Sequence, residues 1–409
     1  MKFILLSYPT ISDAINDFIG TNLSLPIQTY GFFVAVAFIV GAFIMTSEYK
    51  RKESEGLMCA LYKIDKIGEK ATPLELISSF LLTFLVCFKV VEIIFNYNEF
   101  SENAQEFLLS TRGSWVGGII CGLITAGYTW YDRNKKKLDK PKTVIIKQMP
   151  HQLTGNILVV TGLFGIIGAK IFHNLENFDR FLADPIGELF SFSGLTFFGG
   201  LIVGGTAGAI YLKKLKINSF HTLDAAAFGL PMSYALGRLG CQISGDGCWG
   251  IVNNNPCPSW IPEWAWSSNF PHNVINNGIH IPDCTGQHCR MLAESVYPTS
   301  LYESLMMLII FGIIFCIRKK IKFPGMLLGI YLSLQGIERL LIEQIRVNNK
   351  FNILGMEVTQ AQMIATGLLI SGAVIIFLTY KFRDKISELC KPIEQIPQIP
   401  NAEIIEKKD

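Results

Sequence analysis

The sequence predicts an all-α fold: a polytopic integral membrane helix bundle of about nine transmembrane helices, N-terminus out and C-terminus in. Three observations carry this expectation. Hydrophobic types make up 50% of the 409 residues and charged types only 17%. With a mean hydropathy of +0.36, the chain is too apolar for a soluble protein of its length, which carries about 25% charge. Long apolar runs recur along it, and the basic residues between those runs alternate in density. The same composition excludes disorder, a coiled coil and a disulfide-stapled miniprotein. A net charge of +3 gives little support to nucleic-acid binding.

The apolar runs are 30–46, 76–96, 115–131, 155–173, 196–212, 224–244, 299–317, 325–343 and 361–380. Most approach the roughly 20 residues that a bilayer crossing needs. They are expected as helices, because lipid offers no water to satisfy a broken backbone. The run 224–244 is the weakest, since Pro231 and several glycines interrupt it, and it could be a broken helix lining a cavity. The short apolar start Met1–Leu6 lacks the core and cleavage site of a signal peptide.

Orientation follows from the charges. With the N-terminus outside, the five inner segments hold 26 Lys and Arg and the five outer segments hold 6, as the positive-inside rule requires. The expected organisation is one transmembrane domain over 1–385 and a cytoplasmic tail over 386–409. The chain also repeats itself. Lys89 precedes Gly117-Gly118, and Lys170 precedes Gly199-Gly200, at nearly equal spacing across acidic outer loops. Segment 76–132 therefore reads as a duplicate of 155–212.

Four basic residues remain inside spans: Lys89, Lys170, Arg238 and Arg339. Each would cost about 2.5 kcal/mol or more at a helix centre unless paired or solvated. For Lys89, a structural pair with Glu92 is a sufficient explanation. Lys170, Arg238 and Arg339 fall in the outer part of the bilayer, where lipid headgroups sit. Converging arginines suit phosphate because guanidinium binds its oxygens bidentately. An anionic phospholipid headgroup, bound from the outer side, is the expected ligand.

The local motifs agree. Span six ends in Gly237-Arg238-Leu239-Gly240-Cys241-Gln242-Ile243-Ser244-Gly245-Asp246, where glycines allow close backbone approach beside a cation. Span seven opens with Tyr297-Pro298-Thr299-Ser300-Leu301-Tyr302-Glu303. In span eight, Gln335, Arg339, Glu343 and Arg346 share one helical face, with Arg339 and Glu343 at i,i+4.

Together these residues resemble the prolipoprotein diacylglyceryl transferase family, integral membrane enzymes of bacteria. The family segment Gly-Arg-hydrophobic-Gly-Asn-Phe-hydrophobic-Asn-Gly-Glu is similar to Gly237–Asp246. Its Tyr-Gly matches Tyr30-Gly31, its Gly-Gly-Arg is similar to Gly168-Ala169-Lys170, and its Ala-Asp-Pro matches Ala183-Asp184-Pro185. Its His-Pro-Ser-Gln-Leu-Tyr-Glu resembles Tyr297–Glu303, its Arg-x-x-x-Glu-x-x-Arg matches Arg339–Arg346, and its last-span Gly-Gln resembles Ala361-Gln362. The likeness covers roughly 25–46 and 155–385, leaving 76–132 and much of 251–296 as additions.

The resemblance implies transfer of the diacylglyceryl group from phosphatidylglycerol to the lipobox cysteine thiol of a prolipoprotein, with release of glycerol phosphate. It implies a site on the periplasmic side of the bacterial inner membrane and no cofactor. Arg238 and Arg339 would stabilise phosphate, with Glu343 orienting Arg339 and Lys170 adding positive charge. Contacts to substrate would come from Tyr30, Gly199, Gly200, Gly240, Cys241, Ser244, Asp246, Tyr302, Gln335, Arg346 and Gln362.

Several positions depart from the family pattern. The family His of Phe-His-Gly-Gly, a candidate general base, is Phe198 here. The two Asn are Cys241 and Ser244, the Glu is Asp246, and the span-eight Tyr is Gln335. Either the arginines acidify the thiol without a base, or His173 or Asp246 takes the proton, or activity is altered or absent. The alternative class is a transporter or lipid-handling protein built on the duplicated hairpins. Against it, the Arg238 and Arg339 motifs have no copy.

The outer loop 245–298 holds Cys248, Cys257, Cys284 and Cys289, expected as up to two disulfides, with a zinc site involving His280 or His288 as the alternative. Its tryptophans, Trp249, Trp260, Trp264 and Trp266, are expected at the membrane interface or over the site. The topology is directly testable. With native thiols blocked, a cysteine introduced at Asn276 should react with membrane-impermeant maleimide added outside, and one at Lys137 only after the inside is opened. Equal labelling from one side contradicts the assignment.

Overall fold

The computed structural model describes residues 7–406, except 24, 103–106, 109, 191–195, 349, 354–355, 393, 395 and 398–402. Its main helices are α1 (Ile11–Ile19), α2 (Thr29–Ser54), α3 (Pro73–Phe95), α4 (Trp115–Lys135) and α5 (Thr154–Glu176). Then follow α6 (Phe197–Leu215), α7 (Ser219–Ser244), α8 (Thr299–Ile317), α9 (Met326–Ile342) and α10 (Gln360–Lys381). Short strands are β1 (Leu61–Ile67), β2 (Lys142–Gln148), β3 (Ile279–His280), β4 (Arg290–Met291), β5 (Lys350–Ile353), β6 (Met356–Thr359) and β7 (Glu403–Glu406). All nine apolar runs lie in helices. Five helical stretches are long and apolar enough to cross a membrane: Thr29–Ser54, Pro73–Phe95, Pro150–Glu176, Thr299–Ile317 and Gln360–Lys381. The protein is a polytopic helical membrane protein.

Two sequence expectations are corrected. The run over 224–244 is not broken into two helices: α7 spans Ser219–Ser244 with the buried Pro231 inside it, although proline has no N–H to give to the ladder, and it stops at Gly245, whose φ of 63° is left-handed. Nor is the fold wholly helical. β1 pairs antiparallel with β2, and β2 pairs parallel with β7, so two connecting segments and the tail build a small mixed sheet.

The chain divides into two compact units, Met1–Met58 with Ile217–Pro392, and Cys59–Lys216 with Ile393–Asp409. In the first, α7 packs on α2, α8 and α9, and α9 packs on α10. Its core is apolar: Ile44, Phe228, Ala235, Met307, Ile310, Ile314, Leu327 and Tyr331. Hydroxyls stitch the close approaches, Ser233 donating to Ala37 O at 3.0 Å and Ser304 to Ala235 O at 2.9 Å. At one end, Lys52 lies 3.5 Å from Asp224. Asp224 in turn accepts from the backbone N–H groups of Gly325 and Leu328 at the start of α9, a side-chain answer to the orphan donors of a helix N-terminus. The N-terminus of α10 is closed by a capping box between Thr359 and Gln362.

The second unit contains two helix hairpins, α3 with α4 and α5 with α6. They share one detail of backbone pairing. The residue capping α4, Ser114, donates its N–H to Phe88 O at 2.8 Å, and Thr196, capping α6, donates to Ala169 O at 3.1 Å. Each acceptor immediately precedes the lysine of its hairpin. Lys89 does not pair with Glu92. Its ammonium caps the carbonyls of Phe107, Ser110 and Arg112 at 3.0, 2.5 and 2.7 Å, and Glu92 accepts instead from Asn96.

Removing the Asp224 carboxylate leaves Lys52 buried without its counter-charge and α9 without its cap. Asp224→Ala should therefore lower unfolding free energy by about 3–5 kcal/mol, read by denaturation in detergent. A loss below about 1 kcal/mol would contradict this account of the pair.

Candidate active site

The site grows from the first turns of α8. Glu303 lies one turn into that helix, and its side chain is wholly buried. Three arginines converge on it. Arg238, near the end of α7, places Nε 2.5 Å from Oε2. Arg339 in α9 places Nη1 3.3 Å from Oε1, and Arg346 beyond α9 places Nη1 2.8 Å from the same oxygen. Tyr234, one turn before Arg238, donates its hydroxyl to Oε2 at 2.8 Å. The guanidiniums keep a partial opening: 19%, 17% and 13% of the Arg238, Arg339 and Arg346 side chains are exposed.

Glu343 completes the cluster from the end of α9. It lies 3.2 Å from Arg339 and accepts from Asn348 at 2.5 Å and from Thr359 at 2.7 Å. It therefore ties the segment beyond α9 to the cap of α10. Each guanidinium offers five N–H donors in a fixed fork. The carboxylates use only some of them, and Arg346 Nε has no hydrogen-bond partner among the described residues. Partly exposed arginines with unused donors are suited to bidentate capture of phosphate.

A sulfur pair borders Arg238. Its Nη1 is 3.4 Å from Cys248 Sγ and 4.0 Å from Cys241 Sγ. The Cys248 thiol is held below its ordinary range, first by the hydrogen bond from Cys241 and then by Arg238 and Arg346, against burial and Asp246. Asp246 accepts from the Cys248 N–H at 3.1 Å. The ligand atoms of Cys241, Asp246 and Cys248 lie within 4.8 Å of one another. A thiophilic divalent cation would have to compete there with the guanidinium for Cys248.

The sequence-derived candidates separate into groups. Arg238, Arg339 and Arg346 meet at Glu303, with Glu343 against Arg339, Cys241 beside Arg238 and Asp246 near the two sulfurs. Tyr30, half-exposed near the start of α2, is within electrostatic reach of Arg238, Cys241, Asp246 and Cys248. Gln335 donates its amide to Glu338 at 3.4 Å.

Other candidates are occupied elsewhere. Tyr302 donates to Ala265 O at 2.8 Å and pins the outer loop. Gln362 serves the α10 cap. Ser244 is buried, with its hydroxyl on Cys241 O. Gly240 gives room to Phe33, since a Cβ there would lie 2.7 Å from the Phe33 Cβ. In the second unit, Gly199 and Gly200 back onto the carbonyls of Gly168 and Gly165, so they are contact points of the α5–α6 hairpin. Lys170 is buried in α5, and His173 lies beside Asn177. The Phe198 side chain lies outside the described residues.

In the outer loop one disulfide forms, Cys284–Cys289. Cys248 and Cys257 are free thiols, so one of the up to two expected bridges is formed. Trp249 packs on Phe270 and Trp266 on Tyr297, and Trp260 projects outward. The residues that sequence reasoning did not place in the site are Tyr234, Cys248, Glu303 and Glu338. Glu303 stood in a quoted motif, yet nothing in its spacing reveals that three arginines from two other elements meet it.

Three arginines gathered on a buried carboxylate in a polytopic helical membrane protein make a cationic site suited to a phosphate-bearing ligand. Comparison with known proteins fixes the family. The family model described as prolipoprotein diacylglyceryl transferase matches residues 135–378. The chain is 31% identical over 232 residues to the phosphatidylglycerol–prolipoprotein diacylglyceryl transferase of Dehalococcoides mccartyi strain 195, covering 56% of this chain and 77% of the relative. It is 29% identical over 236 residues to the protein of that name from Clostridioides difficile strain 630, covering 57% and 81%. It is 26% identical over 268 residues to that of Corynebacterium glutamicum ATCC 13032, covering 64% and 77%. The chain belongs to the prolipoprotein diacylglyceryl transferase family and is a transferase.

Glu303 is the element on which the cluster depends. Glu303→Ala should cost about 3–5 kcal/mol of stability, because three guanidiniums lose their shared counter-charge, whereas Glu303→Leu with Arg346→Met should recover part of that loss. A Glu303→Ala protein as stable as wild type would show that the arginines do not need it.

Proposed function

We propose that the protein transfers the diacylglyceryl group of phosphatidylglycerol to the lipobox cysteine thiol of a prolipoprotein. The observation that carries this reading is the convergence of Arg238, Arg339 and Arg346 on the buried Glu303. It is supported by the names of the relatives, which specify both substrates. The thiol sulfur forms a bond to the terminal glycerol carbon of the lipid, the carbon–oxygen bond to phosphate breaks, and glycerol phosphate leaves with that electron pair. Charge accumulates on the departing phosphate, where preorganised guanidiniums stabilise it most.

Glu343 orients Arg339 through their 3.2 Å pair, and Glu303 holds all three arginines in register. The attacking group must be a thiolate, and cationic surroundings favour that form over the ordinary thiol of pKa about 8.5. Asp246, whose carboxylate lies within 4.8 Å of the Cys241 and Cys248 sulfurs, is the acceptor that takes the thiol proton in this reading. Nine spans, an N-terminus outside, a location in the bacterial inner membrane and a site open to the outer side all belong to this reading. So does a single transferase domain over 1–385 in which 76–132 is an added hairpin. The family match begins at residue 135, beyond that hairpin.

The test is reconstitution of the full chain with phosphatidylglycerol vesicles and a lipobox peptide, scoring thioether lipopeptide by mass. Arg238→Ala should lower the rate by about 10²–10³-fold. Unchanged lipopeptide formation by that variant, or none by the wild-type protein, overturns the proposal.

A further inference from the structure

Among the described residues, three buried acceptor oxygens near the arginines receive no hydrogen bond, on Gln335, Glu338 and Glu343; Glu343 Oε2 at least lies 3.2 Å from Arg339 Nη2, whereas the other two are in no ion pair. In α9, Gln335 and Glu338 lie one turn apart on the face that also buries Tyr331 and Ile342. Gln335 Nε2 donates to Glu338 Oε2 at 3.4 Å. That contact sets the amide nitrogen toward Glu338 and the amide oxygen away from it. Gln335 Oε1 and Glu338 Oε1 then receive no hydrogen bond among the described residues, although the two residues are only 9% and 2% exposed. Native proteins rarely leave buried polar atoms unpaired, and each such atom asks for an explanation.

The charged surroundings narrow what could pair them. Tyr234 and Arg238 face Glu338 from α7, Glu303 from α8, and Tyr331, Arg339 and Arg346 from α9 and the segment after it. Tyr234 and the three arginines are already directed at Glu303. On the donor side, Arg346 Nε is also unpaired. With Glu343 Oε2 set against Arg339, the described residues of the cluster lack an acceptor for a guanidinium and donors for two oxygens one helical turn apart. A phosphodiester carrying a hydroxylated head group supplies both in one molecule.

We propose that Gln335 Oε1 and Glu338 Oε1 form a head-group subsite that accepts hydrogen bonds from the glycerol hydroxyls of the donor lipid, while the arginines hold its phosphate. This rests on the reading of the site as a phosphatidylglycerol-dependent transferase and deepens it, since it assigns lipid selectivity to particular atoms. The subsite selects a hydroxyl-bearing head group over an alkyl one of equal charge. A lipid without those hydroxyls leaves both oxygens dry and unpaired, and such a site rejects the analogue by far more than a missing methylene would.

The experiment compares phosphatidylglycerol with phosphatidylpropanol, which has the same charge and diacylglycerol but no head-group hydroxyl, in vesicles with the full chain and a lipobox peptide. Wild type should prefer phosphatidylglycerol in kcat/KM by a factor on the order of 100, about tenfold for each acceptor left unpaired. Gln335→Met and Glu338→Met, which keep chain length but remove the acceptors, should each reduce that preference about tenfold, chiefly through KM. Turnover of phosphatidylpropanol by either variant also shows that it is folded.

Equal use of both lipids by wild type, or an unchanged preference in both variants, overturns the subsite while leaving the transferase reading intact. A wild-type protein that makes lipopeptide from neither lipid overturns both. If Glu338→Met loses all activity, Gln335→Met alone decides.

Discussion

Taking a carboxylate out of water costs several kcal/mol unless its charge is matched at close range, and Glu303 is taken out of water entirely. Its position near the start of α8 leaves it no solvent to turn to. The match comes from α7 through Arg238, from α9 through Arg339 and from the segment beyond α9 through Arg346. A one-residue slip of any of these elements would swing its guanidinium away by about 100°. The ion cluster thus sets the helix register of the larger unit as well as its chemistry, and the apolar core below it, from Ala235 to Ile314, packs within that register.

The same cluster explains how a low-dielectric bundle can present cations to an anionic substrate. Three guanidiniums on one carboxylate share its attraction, so each keeps donors unspent and part of its surface open. Glu343 takes Asn348 and Thr359 on Oε1 and turns Oε2 toward Arg339, so it braces Arg339 and anchors α10 at once. On the proposed reading, the phosphate of the lipid enters an arrangement already built around negative charge. Little reorganisation is then needed when the leaving group develops its charge.

Much of this was legible in the residues because the bilayer imposes a one-dimensional constraint. A crossing needs an apolar run, so all nine helical positions could be read from runs, and Arg339, Glu343 and Arg346 could be placed on one face from spacing alone. What spacing cannot carry is pairing between distant elements. The sheet joins residues 61–67, 142–148 and 403–406, far apart in sequence and without clean alternation. The role of Glu303 depends on the mutual register of α7, α8 and α9. Gly199, Gly200 and Gly240 looked like places for a ligand to approach, yet it is a neighbouring helix that approaches them. Gln362 and Tyr302 looked like ligand contacts and serve backbone groups instead.

The central claim is that arginines organised by Glu303 make a phosphate site, and the most direct measurement is binding of the leaving group itself. Calorimetric titration of the detergent-solubilised full chain with glycerol phosphate should show one saturable site. Arg238→Lys should weaken it by about tenfold or more, because a point charge cannot replace the bidentate fork. The contradicting result is either no saturable binding to the wild-type protein or the same affinity in the variant.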